Sequence, residues 1–139
     1  MSHKITASWK GNMKFESTNP GEGTFVMDAA PESGGDGQGL RPKALMLSSL
    51  AGCSGLDIAH LIKKMRLDVE DFHIDVEGFL TDDEPAVYYK VIVEYHFFGK
   101  ELSEEKLKRA VELSVEKYCG VMVMFRKFAE VETKIIYHS

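Results

Sequence analysis

The chain has 139 residues, 44% hydrophobic and 28% charged, which suits one globular domain over residues 1–139 and excludes a disordered chain. Its formal net charge is −5, so it lacks the basic footprint that nucleic acid or anionic lipid would call for. The longest charge-free run after the loops, residues 44–56, falls short of the about 20 apolar residues that span a bilayer. From the N-terminus, HKITASWKGNMKFES alternates around a Lys10-Gly11-Asn12 turn signal and predicts a hairpin. NPGEG at 19–23 is a second turn, and TFVMD at 24–28 a third short strand. AAPESGGDGQGL, residues 29–40, has no periodicity and many glycines, and predicts a mobile loop. It does not make a phosphate cradle, because no G-x-x-x-x-G-K is present and Leu40 occupies the last position of a G-x-G-x-x-G register.

Pro42 suits the first position of a helix, which is expected to run to about Met65. Residues 44–56 are apolar or small on every side, the mark of a buried central helix. Gly52 and Gly55 within it point to close packing or a break. Residues 69–80 and 86–98 read as long strands joined by a TDDEP turn. Residues 103–118 form an amphipathic helix with Ser103 as N-cap and Leu107, Ala110, Val111, Ser114 and Val115 facing inward. Cys119-Gly120 interrupts it, VMVMFRKF suggests a further short helix, and residues 130–138 a last strand. The order βββ–α–ββ–α–β is α+β, with helices packed on antiparallel sheet.

The two cysteines, Cys53 and Cys119, each adjoin a glycine where a helix is crowded or interrupted. Each suits a small buried hydrophobe. Each also suits chemistry, since two thiols are the minimum for an attacking and a resolving pair. MSHKITASWKG lacks the apolar core of a signal peptide, so the cytoplasm is expected, where thiols stay reduced. No metal site is expected. The cysteines lack zinc-ligand spacing, and His3, His73, His96 and His138 show no mutual spacing. His60 lies about 10 Å along the helix from Cys53, too far to pair with it, and reads as a partly buried helix histidine. Asp57, one turn after Cys53, either ends the apolar stretch or holds a cation beside the sulfur. Arg41 and Lys43 precede Cys53 by about 15–18 Å of helix, so they could reach a sulfur only if the helix broke or across a two-fold dimer. Arg126 is a further candidate cation after Cys119.

RPKALMLSSLAGCSGLDIAHLIKKM together with SVEKYCGVMVMF resembles the OsmC/Ohr family of osmotically inducible and organic hydroperoxide resistance proteins, closest to its less characterised branch. The resemblance implies an intertwined α+β homodimer with antiparallel sheets around a buried central helix. It also implies a cysteine-based peroxidase that uses no cofactor. Carried over, Cys53 attacks an organic hydroperoxide and Cys119 resolves the product to a disulfide, which a dithiol reduces. The family's peroxidases place a glutamate ten residues before the first cysteine, to orient an arginine from the N-terminal strands. Here that position is Lys43, and the N-terminal strands offer Lys10 and Lys14 but no arginine. The family's proline after the second cysteine is Gly120. Arg41 is the expected substitute cation, with Lys43 the lesser one. The competing expectation is a non-enzymatic binder of a small apolar or acidic ligand at the dimer interface, with Cys53 as a wall residue.

Overall fold

The computed structural model describes residues 1–139, and its internal contacts divide the chain into two compact units, 1–46 and 47–139. In the first unit the alternating segments form an antiparallel sheet in the order β1 (Ala7–Trp9), β2 (Phe15–Thr18), β3 (Thr24–Met27). The expected hairpin turn is present. The Lys14 N–H donates to the Gly11 carbonyl, and the Trp9 indole closes on the Asn12 carbonyl at 2.7 Å. Alternate side chains of so short a sheet cannot all be covered, and Trp9 and Phe15 remain exposed.

Residues 29–40, expected to be mobile, are instead built around one buried carboxylate. Asp28 accepts backbone N–H groups from Ala29 at 2.8 Å and from Asp36 and Gln38 at 3.1 Å each. The segment includes a 3₁₀ turn at Pro31–Ser33, and a β-bridge joins Leu40 to Met27. The glycines that suggested flexibility serve close packing. A Cβ on Gly35 would overlap the Ala29 carbonyl, and one on Gly39 would come within 2.8 Å of the Asp28 nitrogen. Composition reports the absence of a periodic core here, while backbone amides gathered on a side chain supply the order.

Helix α1 (Pro42–Lys64) carries the chain into the second unit without a break. Neither glycine interrupts it. Nothing lies within 4 Å of a Cβ built on Gly52, and one on Gly55 would only touch Ile74 at 3.4 Å. Leu50, Ser54, Ile58 and Leu61 recur at helical spacing and are its buried residues, whereas Leu56 is 75% exposed. By length and composition alone α1 could cross a bilayer, although its charge-free run could not. Its inward face packs in a protein core of Val91, Val93, Tyr95, Phe97, Leu107, Met122 and Phe125.

That core lies on one face of a second sheet, ordered β4 (Asp71–Leu80), β5 (Tyr88–Phe98), β6 (Glu130–His138). The α+β class is as expected, with one difference in direction. β4 and β5 are antiparallel, but β6 runs parallel to β5. A helical crossover returns the chain to the starting end of β5, and such a connection makes parallel neighbours. The crossover consists of α2 (Glu104–Leu113), a π-helical turn at Ser114–Tyr118, and α3 (Gly120–Arg126). The predicted helix over 103–118 is therefore α2 plus the π turn, and Leu107, Ala110, Val111 and Ser114 are buried as its stripe requires.

Candidate active site

Both cysteines lie at the edge of this core. Cys53, on the flank of α1, is half-buried, and Cys119 is 1% exposed where the π turn gives way to α3. Cys119 caps α3, its sulfur accepting the Met122 N–H at 3.4 Å. Its thiol also lies near enough to Cys53 for each sulfur to influence the other. Burial, then the Cys53 sulfur and, less, the Asp57 charge, push the Cys119 thiol up to about 12, although the Met122 N–H opposes them. Cys119 is thus held as a protonated donor beside the more accessible sulfur.

Beside the thiols runs a chain of hydroxyl groups from three elements. Tyr95 Oη lies 2.8 Å from Ser54 Oγ, which lies 2.8 Å from Ser114 Oγ, which donates to Asp57 Oδ2 at 2.9 Å. An ionised carboxylate can only accept, so every proton in the chain has one direction. Ser114 donates to Asp57, Ser54 to Ser114, and Tyr95 to Ser54. Burial, with the neighbouring Cys119 and Asp57 adding to it, pushes the Tyr95 phenol up to about 12, although the Ser54 hydrogen bond opposes this. Tyr95 accordingly remains a neutral donor. No buried side-chain polar atom in the structure lacks a partner.

The structure brings together Cys53, Cys119 and Asp57 among the residues singled out from sequence. Asp57 ends the hydroxyl chain and lines a shallow groove with Leu56, His60, Leu61, Lys64 and Tyr118. His60 is exposed rather than partly buried, since it lies on the flank of α1 that opens into this groove. The Arg126 guanidinium donates to the Val115 carbonyl in the π turn at 2.7 Å. In the first unit, Arg41 donates to the Gly39 carbonyl at 2.7 Å, and Lys43 follows in the first turn of α1. Because α1 is unbroken, the helix provides no bend that would return either cation to its own chain's sulfur.

The model of the family described as OsmC-like protein matches residues 35–134. The chain belongs to the OsmC-like family. Protein YhfA of Escherichia coli K12 is 30% identical to it over 86 residues, 62% of this chain and 64% of YhfA. The match therefore spans less than two-thirds of that relative's length. In structure, this OsmC-like chain is similar to a hypothetical protein from Aquifex aeolicus VF5, with TM-score 0.85 and 28% identity over 99% of this chain and 96% of that one. It also shares its fold with the organic hydroperoxide resistance protein OhrB of Bacillus subtilis, with TM-score 0.66 and 23% identity over 97% and 98% of the two chains.

Sequence reasoning missed Ser54 and Tyr95 as part of this candidate site and took Ser114 only as a stripe residue. A signal was available. All three are polar residues at positions whose periodicity faces the core, and a buried hydroxyl requires a partner.

Proposed function

We propose that this chain is a thiol peroxidase that reduces organic hydroperoxides. The observation that carries the reading is the asymmetry of the thiols, one half-buried and the other fully buried and held protonated beside it. The Cys53 thiolate attacks one peroxide oxygen, the O–O bond breaks, and the alkoxide leaves with the electron pair and takes up a proton. Cys53 becomes a sulfenic acid. The Cys119 sulfur then attacks Cys53, and its proton leaves with the hydroxyl as water. An external dithiol reduces the disulfide. Burial prevents Cys119 from competing for peroxide, and the nearness of the two thiols sets it beside the sulfur it will join. The hydroxyl chain is a positioning device that fixes Asp57, and with it α1, against the π turn that carries Cys119.

The working form in this reading is a homodimer acting in the cytoplasm. The apolar flank of α1, with Leu56 and Met46 exposed, and the exposed Trp9 and Phe15 are surfaces that a second copy would cover. Arg41 serves the partner's Cys53, stabilising thiolate and leaving alkoxide. Lys43 is the lesser candidate because its point charge lacks a planar fork.

One equivalent of cumene hydroperoxide should oxidise Cys53 far faster than free cysteine and yield a Cys53–Cys119 disulfide by non-reducing mass spectrometry. Arg41→Met should slow the reaction about 100- to 1,000-fold, the cost of losing one such electrostatic contact, and Lys43→Met should slow it less. A parental rate in Arg41→Met would transfer the role to Arg126. A Cys53 no faster than free cysteine, with no disulfide, would replace the peroxidase by the ligand-binding alternative.

A further inference from the structure

The face of the β4–β5–β6 sheet opposite the core gathers side chains that the thiol chemistry does not use. Side chains two apart on a strand share a face, so His73 and Asp75 on β4, and Glu94 and His96 on β5, point outward together. The register sets His73 directly against His96 and Asp75 directly against Glu94. The four residues form a square, two imidazoles on one edge and two carboxylates on the other. Two carboxylates in direct opposition repel unless positive charge lies between them.

The His96 ring shows where that charge belongs. Its Nε2 lies 3.4 Å from Asp75 Oδ2 and 3.4 Å from Glu94 Oε1. A bare nitrogen lone pair facing two carboxylates is unfavourable, so a proton or a cation must occupy the space. The other ring nitrogen, Nδ1, lies 2.9 Å from Nε2 of His138 on β6. If Nδ1 carries the proton and donates it to His138, the Nε2 lone pair is left free. This is the outer-shell arrangement that fixes a metal-binding imidazole in one tautomer. His138 is itself stacked on Phe98 at 4.3 Å, and its ring plane follows that of His96 within 15°.

We propose that His73, Asp75 and His96 form a site for a divalent transition cation of the zinc type, with Glu94 or water as fourth ligand and His138 behind His96. Tetrahedral zinc with nitrogen and oxygen ligands near 2.0–2.2 Å requires donor atoms about 3.4 Å apart. His73 Nε2 lies 3.5 Å from Asp75 Oδ2, and His96 Nε2 lies 3.4 Å from the same oxygen. All three donor atoms fall within 4.8 Å of one another. Two edges of the tetrahedron are therefore at the required length. The third closes when the His73 ring, half exposed and stacked on His96 at 4.6 Å, turns to aim its lone pair at the common centre. The two imidazole donors favour Zn²⁺, Cu²⁺ and Ni²⁺ over Mg²⁺ and Ca²⁺, which a carboxylate alone would suit. Lys134, opposite Glu94 on β6, stands outside the square beside its Glu94 corner and opposes cation binding there.

The test titrates Zn²⁺ against a chromogenic chelator in the full chain with both cysteines replaced by alanine, so that thiols contribute nothing. One equivalent of Zn²⁺ per chain should bind. His96→Ala and His73→Ala should each abolish that equivalent at micromolar Zn²⁺, and His138→Ala should weaken it about 10- to 100-fold. Mg²⁺ should not compete. If the cysteine-free chain does not fold, the imidazole resonances of His73 and His96 in the parental chain provide the readout, and both should shift together on adding Zn²⁺. Absence of Zn²⁺ binding, binding unchanged in His73→Ala and His96→Ala, or imidazole resonances that stay in place would each overturn the site. The peroxidase proposal is untouched by any of these results.

Discussion

The two units each hold an inward-facing carboxylate, and they satisfy it by opposite means. In 28–40, Asp28 is satisfied by backbone amides from its own neighbourhood, so that one side chain organises one loop. In 47–139, Asp57 is satisfied by a side-chain hydroxyl whose own partners come from other elements, so that one carboxylate ties α1, β5 and the π turn together. The first arrangement shapes a local segment. The second fixes the relation between distant elements, which is what the proposed two-thiol chemistry needs.

The contrast should be largest across the pH scale. Burial raises the Asp28 carboxyl, but the N–H donors of Gln38, Ala29 and Asp36, with the Lys14 charge, overcome that and hold it below the usual carboxylate range. The native state then binds fewer protons than the unfolded chain. Its contribution is present above about pH 3.9 and is lost as pH falls through the lower native value. Cys119 and Tyr95 lie at the other end. Both are raised to about 12, so the native chain keeps protons that an unfolded chain releases from about pH 8.5 for the thiol and about 10 for the phenol. Stability falls as pH rises through that window. Trp9, the single tryptophan, reports the first unit in acid, and tyrosine absorbance reports the second in alkali under reducing conditions. A Trp9 signal that shifts only in alkali, or a second unit equally stable at pH 8 and 11, would dissolve the contrast.

Side-chain deletions should follow the same division with smaller effects. Asp28→Ala should expose the Ala29, Asp36 and Gln38 amides to rapid hydrogen exchange while amides of β4 and β5 stay protected. Ser114→Ala leaves the buried Ser54 hydroxyl without its acceptor and takes one donor from Asp57, which still faces the groove. At about 1–3 kcal/mol for one unsatisfied buried group, it should lower stability by that amount in urea. It should also slow disulfide formation more than the first oxidation of Cys53. If Ser54→Ala and Ser114→Ala prove additive in the double variant, the hydroxyls do not act as one chain.

The smallest effect sets two glycines against each other. Gly39→Ala should disrupt the Asp28 loop, because the added methyl meets backbone at 2.8 Å. Gly52→Ala should instead stabilise α1 by about 1 kcal/mol, the helix propensity difference, since its own chain leaves that side open. Loss by Gly52→Ala of the proposed homodimer, measured by sedimentation against the parental chain, would place Gly52 against the second copy.

The sequence by itself determined what periodicity and local chemistry encode. Pro42 begins a helix because it fits no later helical position. The β-rich segment 130–138 reads as β6, and the 3.6-residue stripe from Leu107 to Ser114 as α2 with the first residue of the π turn. The segments around Cys53 and Cys119 carried the OsmC resemblance. Tertiary structure alone decided which polar groups meet. Ser54, Tyr95 and Ser114 lie up to 60 residues apart, and only the packing of α1 and the π turn on β5 brings their oxygens within 2.8 Å. His73, His96 and His138 look unrelated along the chain and become neighbours through strand register and the parallel return of β6. A period tells which face of an element is buried, because that depends on one element alone. Which residues of two faces touch depends on register and crossing, and those are set by packing between elements.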